Sequence, residues 1–348
     1  MKSIASLLSK FFSTRALAFL AFGLLLAGPV RADVNSDLAF SAFSNVDLNS
    51  LAGGNVVQAR GGLISFMRGI TTQSLFIINA KPDDVRKKLL EWKPSDHPEL
   101  KVWLHQPLPA NPTATDFAGL GTLPDNSSVQ YQIDATAKLD ANNPSLQVSK
   151  NEAQLIASAA AQQTDHKALF VQVWSQILAG RIASFLHGQA DDYVLSDGNI
   201  NPLSEVKSLL HADPKVYGEY QRLLNQTPAK TLAGAPTHPL IPNLYFECFD
   251  VEGSAALGTG VIYQVASPTT IQSADIEFYD NSGIYADIEL EQLWPVTING
   301  QNETLVWRGD LVSAPSIAYL HGTERLASGM IMLQETKQGI DAFRNEFK

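Results

Sequence analysis

The spacing of apolar residues changes once along this chain, from the three-to-four step of helices to the two-step of strands. The change falls at a proline-rich stretch, residues 227–242. Before it, Ser74-Leu75-Phe76-Ile77-Ile78-Asn79 has the length and branching of a buried strand. A helix should follow at once: Pro82 suits a first turn, Asp83 and Asp84 suit the positive end of the dipole, and Val85, Leu89 and Leu90 make an apolar stripe ending before Pro94. Residues 105–127 carry Pro107, Pro109, Pro112 and Pro124 with Gly119 and Gly121 and no sustained period, which predicts a long loop. Ser149-Lys150-Asn151-Glu152 is a capping box, in which the hydroxyl and the carboxylate each satisfy one orphan amide, and an alanine-rich helix follows. Residues 168–187 continue as a second helix with Leu169, Val173, Ile177 and Phe185 near one face, while Gln172, Gln176 and Arg181 argue against a membrane span. Asn201-Pro202 and Asp213-Pro214 open two shorter helices.

Beyond the linker, Ala274, Ile276 and Phe278 alternate with Asp275, Glu277 and Tyr279. A turn at Asp280-Asn281-Ser282-Gly283 leads into Ala286, Ile288 and Leu290 alternating with Asp287, Glu289 and Glu291. This predicts an antiparallel hairpin with one apolar and one wet face. A second hairpin surrounds Asn299-Gly300, the pair favoured in type I′ turns, and an earlier strand pair, including Val261, Tyr263 and Val265, flanks Glu252-Gly253. The chain closes on a helix that Ser313 can cap and Pro315 can open, with Tyr319, Leu326, Leu333, Ile340 and Phe347 recurring every seven residues. Gly322, Gly329 and Gly339 weaken that helix by about 1 kcal/mol each relative to alanine, so docking must hold it, and Gly322 is a point where it can break. A helix with one apolar stripe following a sheet with one apolar face should lie across that face. The fold class expected is therefore α+β: an antiparallel sheet packed on a long C-terminal helix, with an inserted helical block. The division is a signal peptide over 1–32, the first part of the α+β domain over 33–148, the helical block over 149–226, a linker over 227–242, and the sheet and C-terminal helix over 243–348.

The first 32 residues carry Lys2, Lys10 and Arg15, then a twelve-residue apolar run over 16–27, then Pro29-Val30-Arg31-Ala32. That is the pattern of a secretory signal peptide cut after Ala32, and the apolar run is short of the roughly 20 residues a spanning helix needs. The expected product is soluble, periplasmic or secreted, and without a transmembrane segment. Cleavage removes four basic residues and no acidic one, taking the formal charge from −10 to −14. Nucleic acid and anionic membranes are poor partners for such a chain, because binding them requires a basic patch. The single cysteine, Cys248, lies in an apolar run and cannot staple an exported fold. It reads as a small buried residue in a strand rather than a nucleophile.

No catalytic or cofactor motif stands clear, and no cofactor is expected. Ser204-Glu205-Val206-Lys207 matches S-x-x-K without the companion signatures that give the motif meaning. Asp197-Gly198-Asn199-Ile200-Asn201 begins like a calcium loop but has Pro202 where the glycine belongs and Ser208 where the bidentate acid belongs. His97 and His105 lack zinc-site spacing, so no metal site is expected. The densest charge feature is the ladder Asp275, Glu277, Asp287, Glu289 and Glu291. On adjacent strands it forms a repulsive solvated face, unless a pair is buried in a cleft and can do acid–base work on a glycoside.

The segment 74–85, a strand leading through a proline and acids into a short helix, resembles the opening of START-like (polyketide cyclase/dehydrase, lipid transfer) helix-grip domains. The long terminal helix resembles that fold's C-terminal one. The resemblance implies a curved antiparallel sheet around that helix and an apolar ligand, a hydrophobic small molecule or lipid, held noncatalytically between them. Strand parity then makes Tyr263, Ile276, Phe278, Ile288 and Leu290 the expected ligand-binding wall, since they turn away from the acids. The same residues could instead fill a solid core, in which case the protein is a structural or protein-binding factor. A hydrolase using the acidic strand pair is the third alternative.

Overall fold

The computed structural model describes residues 34–61, 64–195, 198–227 and 240–348, so the N-terminal segment read above as a signal peptide, Asp197 and most of the linker lie outside the described residues. Eight strands form one antiparallel sheet: β1 (Val57–Arg60), β2 (Gly69–Ile78), β3 (Val102–Leu108), β6 (Asn243–Val251), β7 (Ser254–Ala266), β8 (Ile271–Asp280), β9 (Ala286–Ile298) and β10 (Gln301–Ser313). Their order across the sheet is β1-β2-β10-β9-β8-β7-β6-β3. A separate ribbon pairs β4 (Tyr193–Leu195) with β5 (Gly198–Ile200). The longer helices are α2 (Pro82–Glu91), α3 (Ser127–Ala137), α4 (Lys150–Ala160), α5 (His166–Leu186), α6 (Pro202–Ala212), α7 (Pro214–Leu224) and α8 (Gly322–Asn345), after a short α1 (Leu48–Ala52). The mixture is α+β, as the periodicity predicts, with a large antiparallel sheet and a C-terminal helix.

Local chemistry sets most boundaries. Pro82 sits in the first turn of α2 with Asp83 and Asp84 beside it. Ser149 and Glu152 close the capping box of α4 in both directions. Asn201 and Asp213 cap α6 and α7 with their side chains ahead of Pro202 and Pro214. At the β9–β10 turn Asn299 and Gly300 take φ of 51° and 80°, the left-handed pair a type I′ hairpin requires. Residues 105–127 differ from the expected loop: β3 ends within them and a 3-10 segment, Ala114–Thr122, follows with Phe117 and Leu120 fully buried. Tertiary burial of those two side chains overrides the proline content.

Strand order decides what covers the sheet. β6 to β10 form a meander, with β2 added beside β10 and β3 beside β6 at the far side. The chain from β2 to β3 must therefore cross the five meander strands, a span of roughly 29 Å at ~4.8 Å per strand. It crosses as α2 and two 3-10 turns, Pro94–Asp96 and Pro98–Leu100, with α2 contacting β8, β9 and β10. This crossover and α8 lie on one face, where Ile340 and Phe343 pack with Phe76, Ile78, Val85, Ile271, Leu293 and Val306. The other face carries Leu75, Ile77, Val261, Ala274, Leu305 and Trp307 and is buried against α3, α5, α6, α7 and Leu51 of α1. The helical block thus begins at α3, upstream of residue 149, and shares one core with the sheet.

Two expectations change here. Tyr263, Ile276, Phe278, Ile288 and Leu290 are buried, but in the core beneath the helical layer, with Phe278 stacked on Phe185 of α5 at 3.8 Å, and they do not face the C-terminal helix. Parity states correctly that they share a face; it is silent on which element covers that face. Ten side chains of α5 are buried, whereas α8 buries Gly329, Thr336, Ile340, Ala342 and Phe343. The larger apolar surface takes the apolar face. Helix α5 is also long and apolar enough to cross a bilayer by length and composition, and here those residues fill the core, with Arg181 paired to Glu152. The terminal helix itself breaks at 319–321 and restarts at Gly322, whose φ of 51° suits glycine, and its seven-residue stripe drifts until Tyr319, Leu326 and Met330 are exposed.

Phe278→Ala should remove a fully packed ring and lower unfolding free energy by about 3–5 kcal/mol in urea titration. A loss below about 1 kcal/mol would mean the ring borders open space rather than core.

Candidate functional site

The acidic ladder is largely withdrawn from solvent, with Glu277 and Glu291 buried and Asp275, Asp287 and Glu289 half-buried. Asp275, Glu277, Asp287, Glu289 and Glu291 form the floor of a cavity of about 250 Å³ between the sheet and its cover. Glu247 from β6 and Asp310 from β10 join them, which brings seven carboxylates to one space. The register explains the gathering. Asp275 of β8 pairs with Glu289 of β9 and that with Asp310 of β10, while Glu277 pairs with Asp287 and Ser273 with Glu291 and Arg308. Cross-strand partners share a face, so consecutive rows each place acids on the same side. The roof is apolar: Leu89 of α2, Trp92 just after it, Pro94, Leu100, and Ile340 and Phe343 of α8. Trp92 meets Phe343 edge-to-face at 5.2 Å, and Lys88 holds Glu346 at 2.6 Å, tying the crossover to the end of α8.

Two features of β7 and β8 let the side chains lie inward. Glycines stand at 258 and 260 of β7. A methyl group on Gly260 would lie 2.2 Å from the Tyr245 ring, and one on Gly258 would lie 1.7 Å from Glu277 Oε1 and 2.6 Å from Asp280 Oδ1. Opposite them β8 shifts register between Gly260↔Glu277 and Thr259↔Tyr279, so Phe278 is an extra residue. The bulge puts Phe278 and Tyr279 together in the core and returns Asp280 to the side of Glu277.

Few cations answer these acids. Arg308 bonds Asp310 through Nε at 2.8 Å and Glu289 through Nη2 at 2.5 Å. His105 Nδ1 lies 3.0 Å from Glu247 Oε2, its ring stacked on Tyr245, whose hydroxyl donates to Asp275 Oδ1 at 2.8 Å. Arg308 is held protonated by Asp310, Glu289 and Glu291 against the penalty of burial. Burial, and then the neighbouring charges, raise Asp275, Glu277 and Glu291 well above the carboxylate range. Asp287 is pushed up to about 7 by burial, Asp310 and Glu289, with Arg308 pulling the other way. Glu277 Oε1 and both carboxylate oxygens of Asp280 are buried with no hydrogen-bond partner. Among the described residues no group of three or more His, Cys, Asp and Glu has metal-holding geometry.

The other sequence candidates do not assemble here. Ser204 belongs to the first turn of α6 and Asn201 is its cap, while Glu205, between Ser204 and Lys207, is buried under Arg68 and Ser313. His97 pairs with Glu99 and Glu346 in a neighbouring cavity that shares Trp92 and His105 with the acidic one. Cys248 is buried in β6, its thiol pushed up by desolvation. Sequence reading missed Arg308, Asp310, Glu247, Tyr245 and the roof, and weighed His105 only as a zinc ligand. The alternation that singles out Asp287 and Glu289 extends through Thr304, Val306, Arg308 and Asp310, and Gly258-Thr259-Gly260 inside a strand signals close approach by neighbours. No family model, no curated protein and no solved structure matches the chain, so function rests on the cavity's own chemistry.

The protonation has a thermodynamic sign. Folded Asp287 holds its proton to about pH 7, whereas an unfolded aspartate releases it near pH 4, so the folded state binds more protons in between and stability falls as pH rises through that window. Asp275, Glu277 and Glu291 act in the same sense. Melting temperature should drop between pH 5 and pH 8, and Asp287→Asn should raise it at pH 8 and flatten the slope. An unaltered slope in the variant would show that Asp287 ionises as an ordinary aspartate.

Proposed function

We propose that the protein binds a small organic cation with an apolar body, noncatalytically, in the cavity between the sheet and the crossover and C-terminal helix, and that it does so after export. The observation that carries this reading is the cavity's two-sided lining, with seven carboxylates and one arginine below and Leu89, Trp92, Ile340 and Phe343 above. Such a floor repels a fatty acid or a phosphate. It favours a positive charge, which relieves the mutual repulsion that otherwise keeps protons on the acids. The aromatic and aliphatic roof suits the remainder of an amphiphilic amine, with Trp92 able to face a cation as well as an alkyl chain. The crossover and the terminal helix share the face of the sheet that bounds this cavity, and the ligand proposed there differs in kind from the lipid that a START-like resemblance implies. Export rests on the basic, apolar and small-residue sequence of 1–32.

A specific observation favours a second reading, the hydrolase. The acidic strand pair lies in a cavity, and Asp287, with its raised proton affinity, stands in the row beside Glu289, which Arg308 contacts. A carboxylic acid beside a carboxylate is the pairing that glycoside hydrolysis uses.

Calorimetric titration with hexylamine and with hexanoate at pH 7.5 tests the first reading. Hexylamine should bind and raise the melting temperature, hexanoate should not, and hexylamine affinity should fall toward pH 5 as protons compete for the same oxygens. Tighter binding of hexanoate, or a copurifying lipid seen by native mass spectrometry of host-expressed protein starting at Asp33, would sink it. Turnover of a glycoside that vanishes in Asp287→Asn would promote the second.

A further inference from the structure

Among the described acids of this region, Glu277 and Asp280 are the ones with carboxylate oxygens that are both fully buried and without a partner outside the pair. Glu289 and Asp310 have Arg308, Glu247 has His105, and Asp275 has the Tyr245 hydroxyl. Glu277 Oε1 and both oxygens of Asp280 have no partner outside the pair among the described residues, and burial and mutual repulsion keep a proton on the pair; Glu277 is 7% exposed and Asp280 0%. The two carboxylates converge over Gly258, the position where any side chain would collide with both, and Glu277 also lines the cavity. The β8 bulge at Phe278 is what sets the two acids on the same side. Three sequestered acceptors with no more than the pair's own proton between them are an expensive arrangement in isolation, and a group with three N–H bonds that takes that proton's place matches them.

We infer that Glu277 and Asp280 form the subsite that receives a primary ammonium group, which makes the ligand a primary amine rather than a quaternary one. This rests on the cation-binding reading above and adds the orientation of the ligand: nitrogen toward β7 and β8, hydrocarbon toward Trp92, Ile340 and Phe343. A quaternary ammonium carries the same charge but no N–H, so it leaves the three oxygens unpaired; a primary ammonium pairs them. The carboxylates near Arg308 supply a general negative field and do not distinguish the two.

The test compares hexylamine with hexyltrimethylammonium by calorimetric titration of the purified protein at pH 7.5. The primary amine should bind at least about tenfold more tightly, the effect of charge-assisted hydrogen bonds gained or lost. Glu277→Gln and Asp280→Asn should each pull that ratio toward one. Equal affinities in the native protein, or a ratio that survives both substitutions, would overturn the subsite while leaving cation binding intact. Binding of neither compound would remove the cation reading and the subsite with it. Should both variants fail to fold, the N-methyl, N,N-dimethyl and trimethyl derivatives of hexylamine on the native protein still decide. Affinity should step down with each N–H removed, and a flat series overturns the assignment.

Discussion

Seven carboxylates roofed by hydrocarbon and answered by one guanidinium is the condition around which the rest of this structure is arranged. Charges so placed lose hydration without gaining enough partners, and the group responds by holding protons well above the usual range. Arg308 keeps the cluster from being wholly uncompensated. Its position on β10, beside the row that joins Asp275, Glu289 and Asp310, lets one side chain reach two acids. The roof is held by Trp92 on Phe343, by Lys88 on Glu346 and by the packing of Ile340 and Phe343 on Phe76, Ile271, Leu293 and Val306 of the sheet, rather than by attraction to the acids.

A sheet carrying such a face needs its stability from the other one. The helical layer supplies it: α5, α6 and α7 cover a continuous apolar surface from Leu75 to Phe246, and the largest buried rings, Trp174, Trp307, Tyr220 and Phe170 among them, lie there. The two faces thus divide the work. One is filled by close-packed side chains, where hydrophobic burial is largest, and the other keeps space above polar groups. The same division explains why glycines recur on β7 toward the acids while Leu257, Val261 and Tyr263 fill the side toward the helices.

On the proposed reading, the geometry also separates positioning from recognition among the acids. Those paired with Arg308, His105 or Tyr245 already have their hydrogen bonds, so they shape the electrostatic field of the cavity. Glu277 and Asp280, gathered by a bulge and made room for by Gly258, retain acceptors for something else. On that reading, a cavity that combines a fixed field with such a subsite discriminates among cations by hydrogen-bonding capacity as well as by charge.

Much of this was legible in the sequence. Pro82 with its two acids, the Ser149–Glu152 box, the Asn201-Pro202 and Asp213-Pro214 starts and the Asn299-Gly300 turn each specify a local conformation through bonds made within a few residues. Period-two alternation likewise separated Ile276 and Ile288 from Asp275 and Asp287, because side chains on a strand alternate whatever surrounds them. The covering of each face was decided elsewhere. Pairing of β2 with β10 and of β3 with β6, strands far apart in the chain, requires the connection between β2 and β3 to cross the sheet, and it crosses on the acidic face while the helical layer covers the apolar one. Parity is a property of one strand and is written in its residues. Whether a carboxylate meets water or a tryptophan depends on which distant segment closes over it, and that is fixed only when the whole sheet is assembled.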